Sequence, residues 1–467
     1  MKRFIVTSVI GLAAALTTTA ALEREADACG GCFNPPETPT VVTDHRMILS
    51  ISKDTSTLYD QIRYSGSPAS FAWVLPISGE VTIGISADVV FGALDTMTQT
   101  QILAPPLNCP QRPDNCPSPQ AASDGAGASD AGASVNVIKK EVVGPYETVQ
   151  LQASDPGALR RWLSDNGFNV PPDVAPVVDT YVAEKFNFLA LKLVPGKGTQ
   201  DMRPVRVSTK GANVALPLRM VAAGTGPVVG ISLWVVGEGR YEPQNFASFL
   251  IQTDEIVWDW TASKSNYTEL RAQKSAAGGG RVWEIESSIE LQRLQLEGIV
   301  RQGTWDGRGP YPTTEEERAA LDYLEVKDDQ GNVTKTALQA RDEDLATLLN
   351  GIGAPRVTRM RADLQHAALD TDLLMSASKD QAVASNVRQL TREANQPLCP
   401  VWNGCEPTGQ APRDEAAARS RANAGDGETF ACGTTPKPAS SKTWIGVGFA
   451  ALGLAELARR TRSRRRR

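Results

Sequence analysis

The chain has 467 residues, enough for about two or three cores, with a formal net charge of −5, seven cysteines and only two histidines. Setting aside the seven arginines among the last nine positions leaves −12 on the rest, an acidic body that repels polyanions and excludes nucleic acid as a partner. Two histidines leave little room for catalytic sets that use this residue as general base.

Met1-Lys2-Arg3 is followed by an apolar run from Phe4 to about Leu22. A cationic start, a short apolar stretch and a small-residue cleavage site make a secretory signal peptide, assigned to residues 1–28. Cuts after Ala20 and after Ala28 both fit, and the second makes Cys29 the first mature residue. Glu23, Arg24, Glu25 and Asp27 argue against lipidation there. Cys29-Gly30-Gly31-Cys32 has the spacing of a thiol–disulfide redox centre, whose thiolate needs a helix N-terminus. Phe33-Asn34-Pro35-Pro36 cannot start that helix, so a structural cap is favoured, with a Cys29/Cys32 oxidoreductase as an alternative.

Residues 29–312 read as a β-rich α+β domain. "HRMILSIS" and "TLYDQIRYSG" alternate as half-buried strands do, and "SFAWVLPIS" is a continuous apolar run. "SADVVFGALDTMTQ" reads as a helix with Ser86 as its N-cap. Residues 117–134, rich in Ala, Ser, Gly and Asp, cannot bury a core and form a flexible insertion. "VNVIKKEVVGPYETVQLQAS" gives two strands, "SDPGALRRWLSDNGF" a helix begun by Pro156, and "PDVAPVVDTYVAEK" a second helix. "FNFLALKLV", "RPVRVST", "NVALPLRMV" and "VVGISLWVVG" are four strand candidates between Gly and Pro turns. "SNYTELRAQKSAAGGG" is a helix with a glycine stop, and "RVWEIES" a strand.

Residues 313–398 read as the mainly helical C-terminal part of the same body. "TTEEERAALDYL" carries a Thr-x-x-Glu capping box, "TALQARDEDLATLLNGIG" is amphipathic, and "RVTRMRADL" is a candidate strand returning to the sheet. Residues 399–442 have the composition of a linker or stalk. Residues 443–467 hold an apolar run, Trp444–Ala458, and the Arg tail. Roughly fifteen helical residues cover about 23 Å, short of a ~30 Å hydrocarbon core, which makes a marginal single span. The Arg tail sets its sense, staying cytoplasmic while the body lies outside.

Six cysteines form three close pairs, Cys29/Cys32, Cys109/Cys116 and Cys399/Cys405. In an oxidising compartment this suggests local disulfides, and pairing across the groups stays open. No histidine stands beside any pair, so no zinc site or other cofactor is called for. Cys432 is left over, as an unpaired thiol, a partner for another chain or a modification site. Neither a Gly-x-Ser-x-Gly elbow, a His-Glu-x-x-His motif, a P-loop nor a dinucleotide fingerprint is present. His45 reads as a structural histidine at a strand start, and His366 as a surface one. A carboxylate-based glycan hydrolase needs no motif, and Trp258, Asp259 and Trp260, with Trp305, Asp306 and Tyr311, offer it an aromatic platform. Two tryptophans on one strand face read better as core. Trp305, Asp306, Arg308 and Tyr311 are harder to bury and form the candidate recognition surface.

"ACGGC", "IRYSGSPASFAWVLPI", "VGPYETVQLQASDPGALRRWLSDNGFNVP", "YVAEKFNFLALKL" and "RVTRMRADL" together resemble domain-of-unknown-function family 2330, exported bacterial proteins, across roughly Cys29 to Ser378. The family usually reads Cys-Gly-Gly-aromatic-aromatic-Cys. The resemblance therefore implies a tighter Cys29–Cys32 loop here, or another partner for Cys32. It implies export and a continuous fold, and no catalytic residue. The C-terminus resembles a myxobacterial-type sorting region (a Cys, an apolar span, an Arg cluster), which implies that Cys432 is processed or lipidated and the span removed.

The expectation is an α+β body of mainly antiparallel sheet with packed helices, a signal peptide and a C-terminal single-span helix. The expected function is that of an exported cell-envelope protein, anchored or sorted by its C-terminus, that binds an envelope protein or glycan without catalysis.

Overall fold

The computed structural model describes residues 32–33, 44–62, 72–113, 142–151, 156–165, 175–194, 196–197, 201–222, 225, 227–327 and 330–424. The signal peptide, the insertion 117–134, the apolar run Trp444–Ala458, Cys29, Cys116 and Cys432 lie outside them.

In chain order, β1 (Cys32–Phe33) precedes the hairpin of β2 (Asp44–Ile51) and β3 (Thr55–Ile62), then β4 (Ala72–Ile77) and β5 (Thr82–Ile85). The helix α1 (Asp88–Thr98) leads to β6 (Gln101–Leu103), β7 (Val142–Val143) and β8 (Tyr146–Leu151). Next come α2 (Pro156–Asp165), α3 (Ala175–Ala183), β9 (Asn187–Leu193), β10 (Val205–Lys210), β11 (Ala215–Leu216) and α4 (Leu218–Val221). The long β12 (Val228–Glu238) is followed by β13 (Tyr241–Pro243), β14 (Ala247–Phe249), β15 (Trp258–Asp259) and β16 (Lys264–Ser265). After α5 (Tyr267–Ala277) and β17 (Val282–Glu290) come α6 (Arg293–Gln302), α7 (Glu315–Asp322), β18 (Val326–Lys327), β19 (Val333–Lys335) and α8 (Ala337–Leu348). The last elements are β20 (Pro355–Gln365), β21 (Leu373–Ala377), β22 (Val387–Gln389), β23 (Leu398–Asn403), β24 (Glu406–Pro412) and α9 (Arg413–Ala424).

Two sheets carry the fold. Eight strands run in the order β14-β17-β20-β12-β2-β3-β10-β5, and five in the order β1-β4-β9-β8-β7. All these pairings are antiparallel except β12 with β2 and β14 with β17. The middle of the large sheet is buried on both faces, so β12 reads as a continuous apolar run. On β12, Ile231, Leu233 and Val235 enter one core while Trp234 and Val236 enter the other. The helices α1, α6, α7 and α8 cover the Trp234 side through Phe91, Leu296, Ala319 and Leu348. The opposite side is closed near β12 by Leu216, Leu218 and Leu373, and near β10 by the small sheet, where Leu75, Leu189 and Leu191 meet Val205 and Val207. The outer face of the small sheet is covered by Val178 and Tyr181 of α3. Each such side chain stabilises by about 1.5–3 kcal/mol when fully buried.

Several sequence expectations are corrected. Ser86 does not cap α1. Ala87 takes the N-cap position without a side-chain bond, and the Ser86 hydroxyl donates to Asp344 Oδ2 at 2.6 Å, because α8 lies over this corner. "NVALPLRMV" is not one strand. Pro217 has no N–H to continue the ladder, and the chain turns from β11 into α4. The part 313–398 is less helical than its start suggests, since β20 is eleven residues long and sits inside the large sheet. The supposed linker is folded from its first residue to Ala424 as β23, β24 and α9 around Cys399, Val401, Ala411 and Ala416. Trp258 and Trp260 are half-buried on and beside a two-residue strand rather than in a core strand. The capping box of α7 is present: Thr314 Oγ1 accepts from Glu317 N–H and Glu317 Oε2 from Thr314 N–H, both at 3.1 Å. No described helix is long and apolar enough to cross a membrane.

Candidate functional site

Among the described residues, buried carboxylates occur in three places, and two of them are closed. Arg206 lies between Val205 and Val207 on β10, a position that resembles the polar face of a half-exposed strand, yet α8 covers it. Its guanidinium donates to Asp344 Oδ1 (3.3 Å) and Thr347 Oγ1 (2.9 Å) and also pairs with Glu343. Ser86 and the Tyr323 hydroxyl donate to Asp344 Oδ2 at 2.6 and 3.1 Å. Burial pushes the Asp344 carboxyl up to about 6 against the pull of Arg206. A side chain at Gly84 would collide with the Arg206 guanidinium. These contacts fasten α8 to β10, to the turn before α1 and to the end of α7, which is a structural task.

On β17, Glu284 is 2 % exposed and accepts from the Tyr267 hydroxyl at 2.5 Å, with Arg271 Nε 4.0 Å from its other oxygen. Burial raises this carboxyl to about 7. Glu286 is the unpaired residue of a β-bulge between Ile285 and Ser287 and is held by Arg359 Nε at 2.5 Å, while Arg359 also reaches Asp95 at 2.6 Å. Two carboxylates on one strand, each against its own partners, do not face each other across an aromatic cleft as glycan hydrolysis requires.

The third place borders a narrow cleft. Asp60 on β3 shares its face with Leu58 and, across the ladder, with Met47 and Val205. It is 4 % exposed, His45 Nδ1 lies 3.9 Å from its Oδ1, and that oxygen has no hydrogen-bond partner among the described residues. The carboxylate lines a narrow cleft with Trp73, Leu75 and Met220 that has room for about one water molecule. A second cleft, with room for a few water molecules, shares Leu58, Leu75 and Pro217 with it and continues past Ala215 to Ser78, which is exposed. The two form a slit where the small sheet meets the large one. The signal for Asp60 in "TLYDQI" is a charge at an inward position of an alternating strand.

The expected recognition residues are brought together only in part. Trp305 and Tyr311 meet edge to face with centroids 5.1 Å apart, and the Arg308 N–H donates to Asp306 Oδ1 at 3.3 Å. Tyr311 is 57 % exposed, Arg308 is exposed, and Trp305 and Asp306 are half-buried. Trp260 donates through Nε1 to Glu393 at 2.9 Å and lies edge to face with Trp258. His366 is exposed, and its Nε2 lies 3.2 Å from the Ala222 carbonyl. No group of three or more metal-ligating side chains occurs among the described residues.

Among the described residues, one cysteine pair spans the chain instead of closing a local loop. Cys109 bonds Cys399, 290 positions away, instead of Cys116, and so Cys399 is not joined to Cys405, which is itself disulfide-bonded. The parallel pairing of β6 with β22 brings the two stretches together, and Trp402 Nε1 donates to the Pro110 carbonyl at 2.8 Å beside the bond. Cys32 lies on β1, opposite Trp73.

No curated protein and no solved structure matches the chain. Residues 24–295, more than half of it, match the family described as an uncharacterized protein conserved in bacteria (DUF2330). That stretch contains the β2–β3 hairpin, the slit and the greater part of both sheets. The chain therefore belongs to the DUF2330 family of bacterial proteins.

Proposed function

We propose that this protein works outside the cytoplasm as a non-catalytic binding module, exported by residues 1–28 and held or sorted at the envelope by residues 443–467. The Cys109–Cys399 disulfide carries this reading. Cytosolic thiol pools keep such cysteines reduced, whereas exported domains retain them as structural bonds. Cys399 is 0 % exposed and Cys109 half-buried, and the bond joins the stretch after β6 to the unit of β23, β24 and α9, which suits a staple better than a redox centre. The cationic start and the Arg-flanked apolar run support one topology with the body outside. Trp305, Asp306, Arg308 and Tyr311 offer the surface for an envelope protein or glycan, and Cys432 is the residue that sorting would process.

Mass spectrometry of the protein from native envelopes, with thiol labelling before and after reduction, tests this. The expected result is a chain cut after Ala20 or Ala28, with Cys109 and Cys399 labelled only after reduction. An intact chain in the cytosol with free thiols overturns it.

A further inference from the structure

We infer that residues 398–424 fold only while Cys109 is bonded to Cys399, so that oxidation decides whether the chain leaves the body as an ordered unit or as a loose tether. The unit is β23, β24 and α9, and its core is Cys399, Val401, Ala411 and Ala416, packed against Cys109. Two of these four side chains are alanines and a third belongs to the bond itself, so little apolar area leaves water. Ala411 is the one buried residue of β24, and Ala416 that of α9. So small a core does not offset the conformational entropy lost in ordering three elements. The hydrogen bonds that leave the unit give it no separate hold on the sheets. Trp402 Nε1 donates to the Pro110 carbonyl and Arg413 to that of Leu107, both in the coil after β6 that the bond itself holds. Further bonds reach Glu393, Gln396 and Pro397, immediately before β23. Cys405, between the two strands, is also disulfide-bonded, as befits a unit with too little core of its own. The cores of the two sheets contain no residue of 398–424, so the body keeps its packing when the unit opens.

A dithiol opens the bond from the Cys109 side, since Cys109 is half-buried and Cys399 is 0 % exposed. Its thiolate forms a mixed disulfide with Cys109 and expels the Cys399 thiolate, which takes up a proton. The second thiol of the reagent then closes the reagent's own disulfide and frees Cys109, so that two electrons and two protons pass to the pair. The chain runs through this unit to residues 443–467, and under the envelope reading above the unit is the link between body and anchor.

Hydrogen exchange of the purified full chain, oxidised and after dithiothreitol, read by mass spectrometry, tests this. Reduction is expected to speed exchange in residues 398–424 by about a hundredfold or more, while β9, β12 and β20 keep their protection. Cys109→Ser combined with Cys399→Ser should show the same pattern without reductant, which separates this bond from that of Cys405. Protection retained in β12 and β20 is the check that the variant is folded. Exchange in 398–424 that reduction leaves unchanged, whether slow or fast, overturns the inference. So does a variant in which 398–424 stay protected, and so does loss of protection in β12 and β20 together with 398–424, which would make the bond a support of the whole body. None of these results bears on export, which the processing of the two termini decides.

Discussion

Glu284→Gln is the substitution whose effect follows most directly from the structure. Glu284 is 2 % exposed, and burial raises its carboxyl from 4.5 to about 7. A folded-state pKa above the unfolded value means that the folded chain holds the proton more tightly. The contribution to stability is complete below about pH 4.5 and is lost as pH rises through 7. At 1.36 kcal/mol per pH unit, the difference between pH 4.5 and pH 8 is about 3 kcal/mol. Glutamine keeps an acceptor for the Tyr267 hydroxyl and cannot ionise. Urea unfolding of both proteins at half-unit steps from pH 4.5 to 8.5 reads the effect as the difference between two curves, in which other titrating groups such as Asp344 cancel. The variant should gain on the wild type by about 3 kcal/mol across this window. A flat difference would mean that Glu284 is already ionised at pH 5 and that Arg271 or water compensates it, and the burial argument would fall.

Three further outcomes are expected. Replacing Cys109 and Cys399 by serine should lower stability to non-reducing denaturation by about 2–5 kcal/mol, read from the unfolding midpoint; an unchanged midpoint would mean that the bond closes nothing that unfolding opens. Gly84→Ala puts a methyl group into the Arg206 guanidinium and should cost about 1–3 kcal/mol by thermal unfolding, whereas a neutral result would show that Arg206 can move aside. Tyr311→Ala removes a ring that is 57 % exposed and should change stability by less than about 1 kcal/mol, so that any loss of partner binding can be assigned to recognition.

Elements whose residues speak for themselves were legible: the apolar run of β12, the alternation of β2 and β3, and the capping box at Thr314 all describe local chemistry. What the sequence hid depends on contacts between distant segments. Ser86 has the look of an N-cap until Asp344, 258 positions later, accepts its hydroxyl instead. Arg206 alternates with valines like any outward residue, and only α8 makes it buried. Cys109 has a cysteine seven positions away, but β6 pairs with β22 and delivers Cys399 to it. The residues after Cys399 are small and polar, and a staple with a four-residue core orders them where composition alone implies a stalk. Of the slit, the sequence offers only the inward charge at Asp60. The face opposite comes from β4 and α4, which no local pattern connects to β3.

The limits of the family match do not coincide with the limits of the fold. The match ends at residue 295, just after β17, yet β20 lies between β17 and β12 in the large sheet. All eleven residues of β12, Val228 to Glu238, pair with β20, and Glu284 to Glu290 pair with its other edge. A chain shortened to residues 24–295 would leave two long apolar strand edges bare, strip Tyr323, Leu345 and Leu348 from the helical side, and uncover Arg206 while removing its partner Asp344. Such a chain should bind hydrophobic dyes, aggregate and lack a cooperative unfolding transition, while residues 29–424 should unfold cooperatively when oxidised. Should the 24–295 chain prove monomeric and cooperative, β12 and β17 must be able to pair directly. The strand order would then not be intrinsic to the matched region, and the slit, which lies wholly within it, would have to be sought in a different sheet.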